Sequence, residues 1–330
     1  MTCLSSSSWH ICGVGAIGSL WASAMVQNDI QLRLLLKDAK QLSAYENAGG
    51  ITLANASNQM TLHSNPKAYI TDKAPKDPIQ NLLLTCKSHD TLNAITPWQP
   101  YLAENANIVL LQNGMGSAKL LEARFSQANI YGAISTDGVF RKAPFSIVRA
   151  GMGETIIGSL SEHLANHEIP PAIESLLALS KPINAASSQV NASTLKLSWN
   201  EDILTQMWHK LAINSAINAL TAIYQCKNGE LIHHQKAMPR LKQLCLETQD
   251  VMSRLRIAPM GQGLFNTVIR VLEQTAPNQS SMLQDFLAGR RTELESINGY
   301  IIKQGQLFHL PCAGHKQVYQ DLQQLIAQQG

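Results

Sequence analysis

The stretch Trp9-His10-Ile11-Cys12-Gly13-Val14-Gly15-Ala16-Ile17-Gly18 constrains this chain more than any other. A short apolar run leads into glycines spaced Gly-x-Gly-x-x-Gly. Behind them Ile17, Leu20, Trp21, Ala24 and Met25 recur at helical spacing, which predicts an amphipathic helix. A second apolar run, residues 32–36, follows at the distance expected of a strand–helix–strand unit. In that context the glycine loop is a phosphate-binding turn. Gly13 permits the tight turn, Gly15 keeps a side chain out of the way of a pyrophosphate, and Gly18 lets helix and strand pack closely. The helix N terminus adds unpaired N–H groups and the positive end of its dipole. Gly13, Val14, Gly15, Ala16, Ile17 and Gly18 are therefore expected to bind a dinucleotide.

The end of the second strand selects among dinucleotides. An acidic residue there holds a ribose 2′-hydroxyl and favours NAD, whereas a cation accommodates the 2′-phosphate of NADP. Lys37 and Asp38 supply both signs, and Lys37 comes first after the apolar run. The expected cofactor is NADPH. Further short apolar runs at 82–85, 108–111, 130–134 and 155–158 are separated by polar or helical stretches. This is the pattern of a mostly parallel sheet covered by helices. Ligands of such sheets bind beyond the carboxyl ends of the strands. Two ends stand out: Cys86-Lys87, and Gln112-Asn113-Gly114-Met115-Gly116. Lys87 and Asn113 also have plain alternatives, a solvated lysine and an Asn-Gly turn.

From about residue 197 helical periodicity takes over, over roughly 201–224, 236–256, 264–274, 282–304 and 316–328. The expected fold is α/β: an N-terminal Rossmann-type dinucleotide-binding domain, residues 1–197, then an all-helical C-terminal domain, residues 198–330. In the first of these helices Lys210, Asn214 and Asn218 share one face, with Thr221 in the same arc. The remaining circumference is almost entirely apolar, which marks a buried helix. A solvent stripe is the alternative, but asparagine is a poor choice for one. Buried lysine and asparagine need partners, and a small anionic or hydroxylated ligand would supply them. Ser281 and Gln284 have capping-box spacing, so Ser281 is expected as an N-cap. A helix start with hydroxyls also suits a carboxylate. Glu293 follows Arg290 and Arg291, and its plain reading is a surface ion pair.

Composition removes other classes. A net charge of +3 over 330 residues is too mild for a nucleic-acid protein. No apolar run approaches the roughly 18 residues of a membrane span. Met1 to Ser8 has neither a cationic nor an apolar region, so a loose tail is expected rather than a signal peptide. The cysteines at 3, 12, 86, 226, 245 and 312 form no Cys-x-x-Cys pair, and His-Glu-x-x-His does not occur. No metal site and no disulfide framework are expected, which fits the cytoplasm. Neither a Gly-x-Ser-x-Gly elbow nor a P-loop is present.

Several motifs together are more specific than the glycine loop. They are Gln112-Asn113-Gly114-Met115-Gly116, then Trp208-x-Lys210-Leu211-Ala212-x-Asn214-x-x-x-Asn218, then Cys226-x-Asn228-Gly229-Glu230-Leu231. Ser280-Ser281-Met282-Leu283-Gln284-Asp285 and Thr292-Glu293-x-x-x-Ile297-Asn298-Gly299 complete the set. In order and spacing, over essentially its whole length, the chain resembles the 2-dehydropantoate 2-reductase (ketopantoate reductase) family. The resemblance implies reduction of ketopantoate to pantoate with NADPH, a step towards pantothenate and coenzyme A. It implies Lys210 as the catalytic lysine and Glu293 as its acidic partner. It places Lys87 and Asn113 beside the nicotinamide and substrate, Asn214, Asn218 and Asn278 on the substrate, and Ser281 on the substrate carboxylate. Lys37 stands where close relatives carry arginine, and lysine cannot make the bidentate phosphate fork. Residues Ser135-Thr136-Asp137-Gly138-Val139 depart from the pattern of near relatives. The expected partner is a small 2-keto acid, with no nucleic acid or membrane, and the expected assembly is a monomer or homodimer. Two other readings stand beside this one. A related NAD(P)H-dependent reductase of another 2-keto acid would use nearly the same residues. A non-catalytic NADP(H)-sensing protein would have no need of Lys210 with Glu293.

Overall fold

In the computed structural model, residues 8–56, 61–74, 77–161, 169–180 and 193–329 are described. The tail expected over Met1 to Ser8 lies outside them apart from Ser8. The chain divides into two compact units. The first comprises Met1–Gln112 and Ser117–Leu204; the second comprises Asn113–Gly116 and Thr205–Gly330.

Among the described residues the first unit is built on twelve strands, of which the central ones of the larger sheet are buried on both faces and so read as apolar runs. They are β1 (Trp9–Cys12), β2 (Leu32–Leu35), β3 (Ile51–Asn55), β4 (Thr61–Ser64), β5 (Lys67–Tyr69), β6 (Ile79–Leu84), β7 (Leu102–Leu111), β8 (Asn129–Ser135), β9 (Gly138–Ala143), β10 (Ser146–Gly151), β11 (Thr155–Ser159) and β12 (Leu197–Trp199). Among the described residues the larger sheet runs β12-β11-β8-β7-β6-β1-β2-β5. Its pairs are parallel except β8 with β11. The strand order turns at β1 and β6, so the crevice beyond their carboxyl ends is where such a sheet takes a ligand. Because β12 pairs with β11, this unit runs past the boundary expected at residue 197 and ends at Leu204.

Helix α1 (Ala16–Gln27) departs from the amphipathic expectation, being buried continuously from Gly18 to Met25. A second sheet, β4-β3-β10-β9, explains why: α1 packs against its strands as well as against β1 and β2. The short, polar strands of this sheet carried too weak a pattern to be expected. Helices α2 (Ala39–Asn47), α3 (Thr91–Ile95), α4 (Ser117–Arg124) and α5 (Pro171–Leu177) complete the unit.

The second unit is helical: α6 (Ile203–Tyr224), α7 (Glu230–His233), α8 (Ala237–Arg254), α9 (Leu264–Gln274), α10 (Ser281–Leu287), α11 (Leu294–Leu307) and α12 (Ala313–Ala327). Trp208, Leu211, Ala212, Ala216, Ile217 and Leu220 of α6 anchor its core. The single helix expected over 282–304 is two. Gly289 turns left-handed after α10 (φ 61°), where glycine ends a helix without steric cost. Arg290 then folds back, donating its N–H to the Asp285 carbonyl (2.8 Å) and its Nε to the Asp285 carboxylate (3.0 Å). Glu293 becomes the residue that opens α11.

Candidate functional site

The glycine loop has the geometry its spacing predicts. Gly13 has a φ of +103°, and a Cβ on it would lie 2.2 Å from the Cys86 nitrogen. A Cβ on Gly18 would meet the Gly13 carbonyl at 2.3 Å and Thr85 Oγ1 at 2.5 Å. Thr85 Oγ1 donates to that same carbonyl at 2.5 Å, fixing the loop to the end of β6. Gly15 differs, since a Cβ there would meet nothing within 4 Å. It is the N-cap of α1, with no side-chain cap and no acidic residue in the first turn. Donors without a built-in anion, next to open space, fit a phosphate.

Lys37 and Asp38 have separate fates after β2. The Asp38 carboxylate accepts from the Gln41 N–H (2.8 Å) and caps α2. The Gln41 side chain in turn accepts from the Lys37 N–H (2.8 Å). The Lys37 side chain is exposed. The acidic member of the pair thus already holds a helix start. At the ends of β6 and β7, Lys87 is half-buried. Gln112 donates to the Cys86 carbonyl at 2.9 Å and bonds Thr91 Oγ1, which ties the two strand ends together.

The second unit brings Lys210, Glu293 and Asn113 together. Lys210 is half-buried on α6. Burial pulls its ammonium down to about 8, and the Glu293 carboxylate opposes that fall. Glu293 is only 4% exposed, which overturns the surface-ion-pair reading; Arg290 pairs with Asp285 instead. Asn113 Nδ2 donates to Glu293 Oε2 at 3.3 Å. The loop that carries Asn113 is seated on the start of α11. The Met115 N–H donates to the Ser296 carbonyl (2.9 Å), and a Cβ on Gly114 would lie 2.5 Å from Ser296 Oγ. Only glycine allows that approach. Further along α6, Asn214 is half-buried and Asn218 is buried. The stripe is therefore not a solvent face.

At α10 the expected cap moves by one residue. Ser280 is the N-cap, accepting from the Leu283 N–H at 3.0 Å. Gln284 does not close a capping box but donates to the Gln279 carbonyl (3.1 Å). Ser281 is the first helical residue and exposed, its hydroxyl relieved of capping. Asn278 is exposed in the preceding turn, and its carbonyl accepts from the Asn228 N–H (2.9 Å). Asn228 also donates its side chain to Thr275 Oγ1 (2.9 Å), and Gly229 donates to the Ala276 carbonyl (3.1 Å). The Cys226–Leu231 motif is thus the mount for the turn that carries Asn278.

Two further features had no reading from sequence. Asp137 in the unexplained Ser135–Val139 stretch is the hub of a buried cluster. It pairs with Arg149 at 2.5 Å, with both side chains at most 3% exposed. It also accepts from Ser135 Oγ and the Gly153 N–H, both at 2.9 Å. In the second unit Asn298 donates to the Ser215 carbonyl (2.8 Å) and contacts His315 Nδ1 (3.2 Å). His315 Nε2 lies 2.9 Å from Thr248 Oγ1. Burial lowers the His315 pKa to about 4, so the ring is neutral. Neither cluster follows the repeat of a single helix or strand, so no local pattern announces them.

The family model described as ketopantoate reductase PanE/ApbA matches residues 9–162, and the model of the ketopantoate reductase PanE/ApbA C terminal matches residues 202–326. A 2-dehydropantoate 2-reductase of Archaeoglobus fulgidus is 31% identical over 308 residues, 92% of each chain. One from Vibrio cholerae is 26% identical over 317 residues, 96% of each chain. Among solved structures, a PanE/ApbA family ketopantoate reductase from Ralstonia eutropha superposes with a TM-score of 0.80 at 22% identity, covering 98% of this chain and 99% of that one. A D-mandelate dehydrogenase solved with NADH and anilino(oxo)acetate gives a TM-score of 0.82 at 17% identity, covering 97% and 99%. The motifs of both units and these full-length matches agree: the chain belongs to the ketopantoate reductase PanE/ApbA family.

Proposed function

We propose that the protein reduces ketopantoate to pantoate with NADPH, in the cytoplasm, as a step towards pantothenate and coenzyme A. The observation that carries this reading is the lysine–carboxylate pair on the helical unit, Lys210 with the buried Glu293. A protein that only senses the dinucleotide has no use for it.

The open space beside Gly15 and the uncapped start of α1 fit a pyrophosphate. Gly13 to Gly18 would hold it, Lys37 the 2′-phosphate, and Lys87 and Asn113 the nicotinamide end. Lys37 favours NADPH over NADH because Asp38 is engaged by α2 and the lysine remains as the charge beside the ribose. NADPH, when bound, supplies the hydride for C2 of the keto acid. Lys210 stabilises the charge that develops on the carbonyl oxygen and delivers the proton. Glu293 keeps Lys210 in its ammonium form against the cost of burial, and Asn113 steadies Glu293. Ser281, at the start of α10, holds the carboxylate together with Asn278. Asn214 and Asn218 take the far, hydroxylated end, one and two helical turns from Lys210.

The test is NADPH oxidation over a panel of 2-keto acids that includes ketopantoate, 2-ketoisovalerate and the phenyl keto acid corresponding to mandelate. Ketopantoate should lead in kcat/KM by an order of magnitude or more, because polar groups built for a hydroxyl are stranded by analogues that lack one. Equal efficiency on ketopantoate and 2-ketoisovalerate would leave only the broader reading, a reductase of 2-keto acids.

A further inference from the structure

Hydrogen bonds run in one direction from the start of α10 into α6. The Leu283 N–H donates to Ser280 Oγ (3.0 Å), the Ser280 and Thr221 hydroxyls lie 2.6 Å apart, and Thr221 Oγ1 donates to the Asn218 carbonyl (2.8 Å). Each hydroxyl has one hydrogen to give. That of Thr221 goes to Asn218, so Ser280 is the donor between the two. Thr221 is fully buried and Ser280 is 7% exposed. The apolar neighbours of Thr221 on α6, Ile217, Leu220 and Ala222, are also buried. Packing alone would be served as well by valine, so the hydroxyl is what the position requires.

We infer that Thr221 and Ser280 are positioning residues for the keto acid: their shared hydrogen bond sets the register between the α10 start, which carries Ser281, and the turn of α6 that carries Asn218. The inference rests on the proposed reading of Ser281 and Asn218 as contacts to the two ends of the substrate. A ligand held at both ends is sensitive to the separation of its holders, and small misplacement is costly. Neither residue touches the substrate in this scheme. Ser280 is spent on the cap and on Thr221, and Thr221 on Asn218.

The experiment compares Thr221→Val, Thr221→Ala, Thr221→Ser and Ser281→Ala in full-length protein. Steady-state reduction of ketopantoate by NADPH is measured, with calorimetric titration of pantoate as a readout without turnover. Thr221→Val and Thr221→Ala should each raise the ketopantoate KM and the pantoate Kd by roughly tenfold, the effect of misaligning one hydrogen bond between the protein and the substrate. They should leave kcat within about threefold and the NADPH KM unchanged, since displacing holders that grip the substrate equally in its ground and transition states weakens binding alone. Thr221→Ser should restore both constants. If Ser281→Ala weakens pantoate binding while both hydroxyl-free variants bind normally, the clamp is wrong and the substrate reading survives. If Ser281→Ala binds pantoate as the wild type does, the substrate reading fails and takes the clamp with it. If the hydroxyl-free variants are insoluble, or lose kcat and NADPH affinity together, Thr221 is a folding residue and the positioning role is overturned.

Discussion

Replacing Glu293 by glutamine isolates the electrostatic part of the proposed chemistry. The amide keeps the size of the carboxylate and an oxygen for the Asn113 donor, which lies 3.3 Å from Glu293 Oε2. Only the charge is removed. In the wild type burial lowers the Lys210 pKa from 10.5 to about 8 in spite of Glu293. Without the carboxylate, burial acts unopposed and the pKa falls further. An opposite charge at close range in a buried site is worth roughly 1–3 pH units. Taking about 2 of these, Lys210 would go from roughly three-quarters protonated at pH 7.5 to about 3%, a loss near 25-fold. The sign follows from the proposed chemistry, in which the ammonium is the active form. Wild-type kcat/KM should fall as pH rises through about 8, and the Glu293→Gln fall should lie at lower pH. The variant should therefore recover activity on acidification below pH 6, where the wild type gains nothing. The assay is NADPH oxidation from pH 5 to 9 with subsaturating ketopantoate. A Glu293→Gln profile that is lower but unshifted would refute the electrostatic argument. Lys210→Ala should remove the limb altogether, and the double variant should be less than additively impaired.

Four other outcomes follow from particular side chains. Lys37→Ala should raise the NADPH KM roughly tenfold, as expected on removing a charge-assisted phosphate contact, and leave the NADH KM alone; steady-state titration of both cofactors checks this. Asn218→Ala should shrink the preference for ketopantoate over 2-ketoisovalerate by roughly 1–3 kcal/mol, with the loss falling on ketopantoate. Asp137→Asn removes the carboxylate charge paired with the buried Arg149 guanidinium and should cost roughly 3–5 kcal/mol in urea unfolding. Finally, His315 is neutral in the fold because burial lowers its pKa from 6.5 to about 4. The unfolded chain therefore takes up protons first, and the stability tied to His315 is complete above pH 6.5 and lost as pH falls through 4. The loss is on the order of 3 kcal/mol, and His315→Gln should flatten that part of the pH–stability curve measured by thermal unfolding.

Legibility from sequence followed the range of the interactions. The glycine loop is short and local, and Gly13 and Gly18 have the tight turn and close packing their spacing implies, while Gly15 borders open space. The Lys210 stripe was legible because an α-helix repeats every few residues and its apolar arc is nearly unbroken. The capping-box spacing of Ser281 misled by one position, since adjacent serines offer the same chemistry and only the backbone decides that Ser280 caps. Residues 282–304 read as one helix because their periodicity survives the break. The turn at Gly289 depends on Asp285 gripping Arg290, which no periodicity encodes. Asp137 with Arg149, and Asn298 with His315, are contacts between separate elements, which the repeat of a single strand or helix does not record. The second sheet was missed because its strands are short and two of them are largely exposed.

The loop Asn113–Gly116 sits in the sequence among the strands of the first unit yet belongs with the helices of the second. This limits how the gene can be recombined. A crossover near residue 204 looks like a clean joint between modules, but the chimera would take the loop from one parent and its seat on α11 from the other. The Met115 hydrogen bond is to a backbone carbonyl and would tolerate many partners. The steric fit would not, because the space a side chain would need at position 114 is filled by Ser296. A parent with any other residue at position 114 would displace the loop, and Asn113 would leave Glu293 with it. Inheritance of the Asn113–Glu293 contact thus binds the two parts of the gene together.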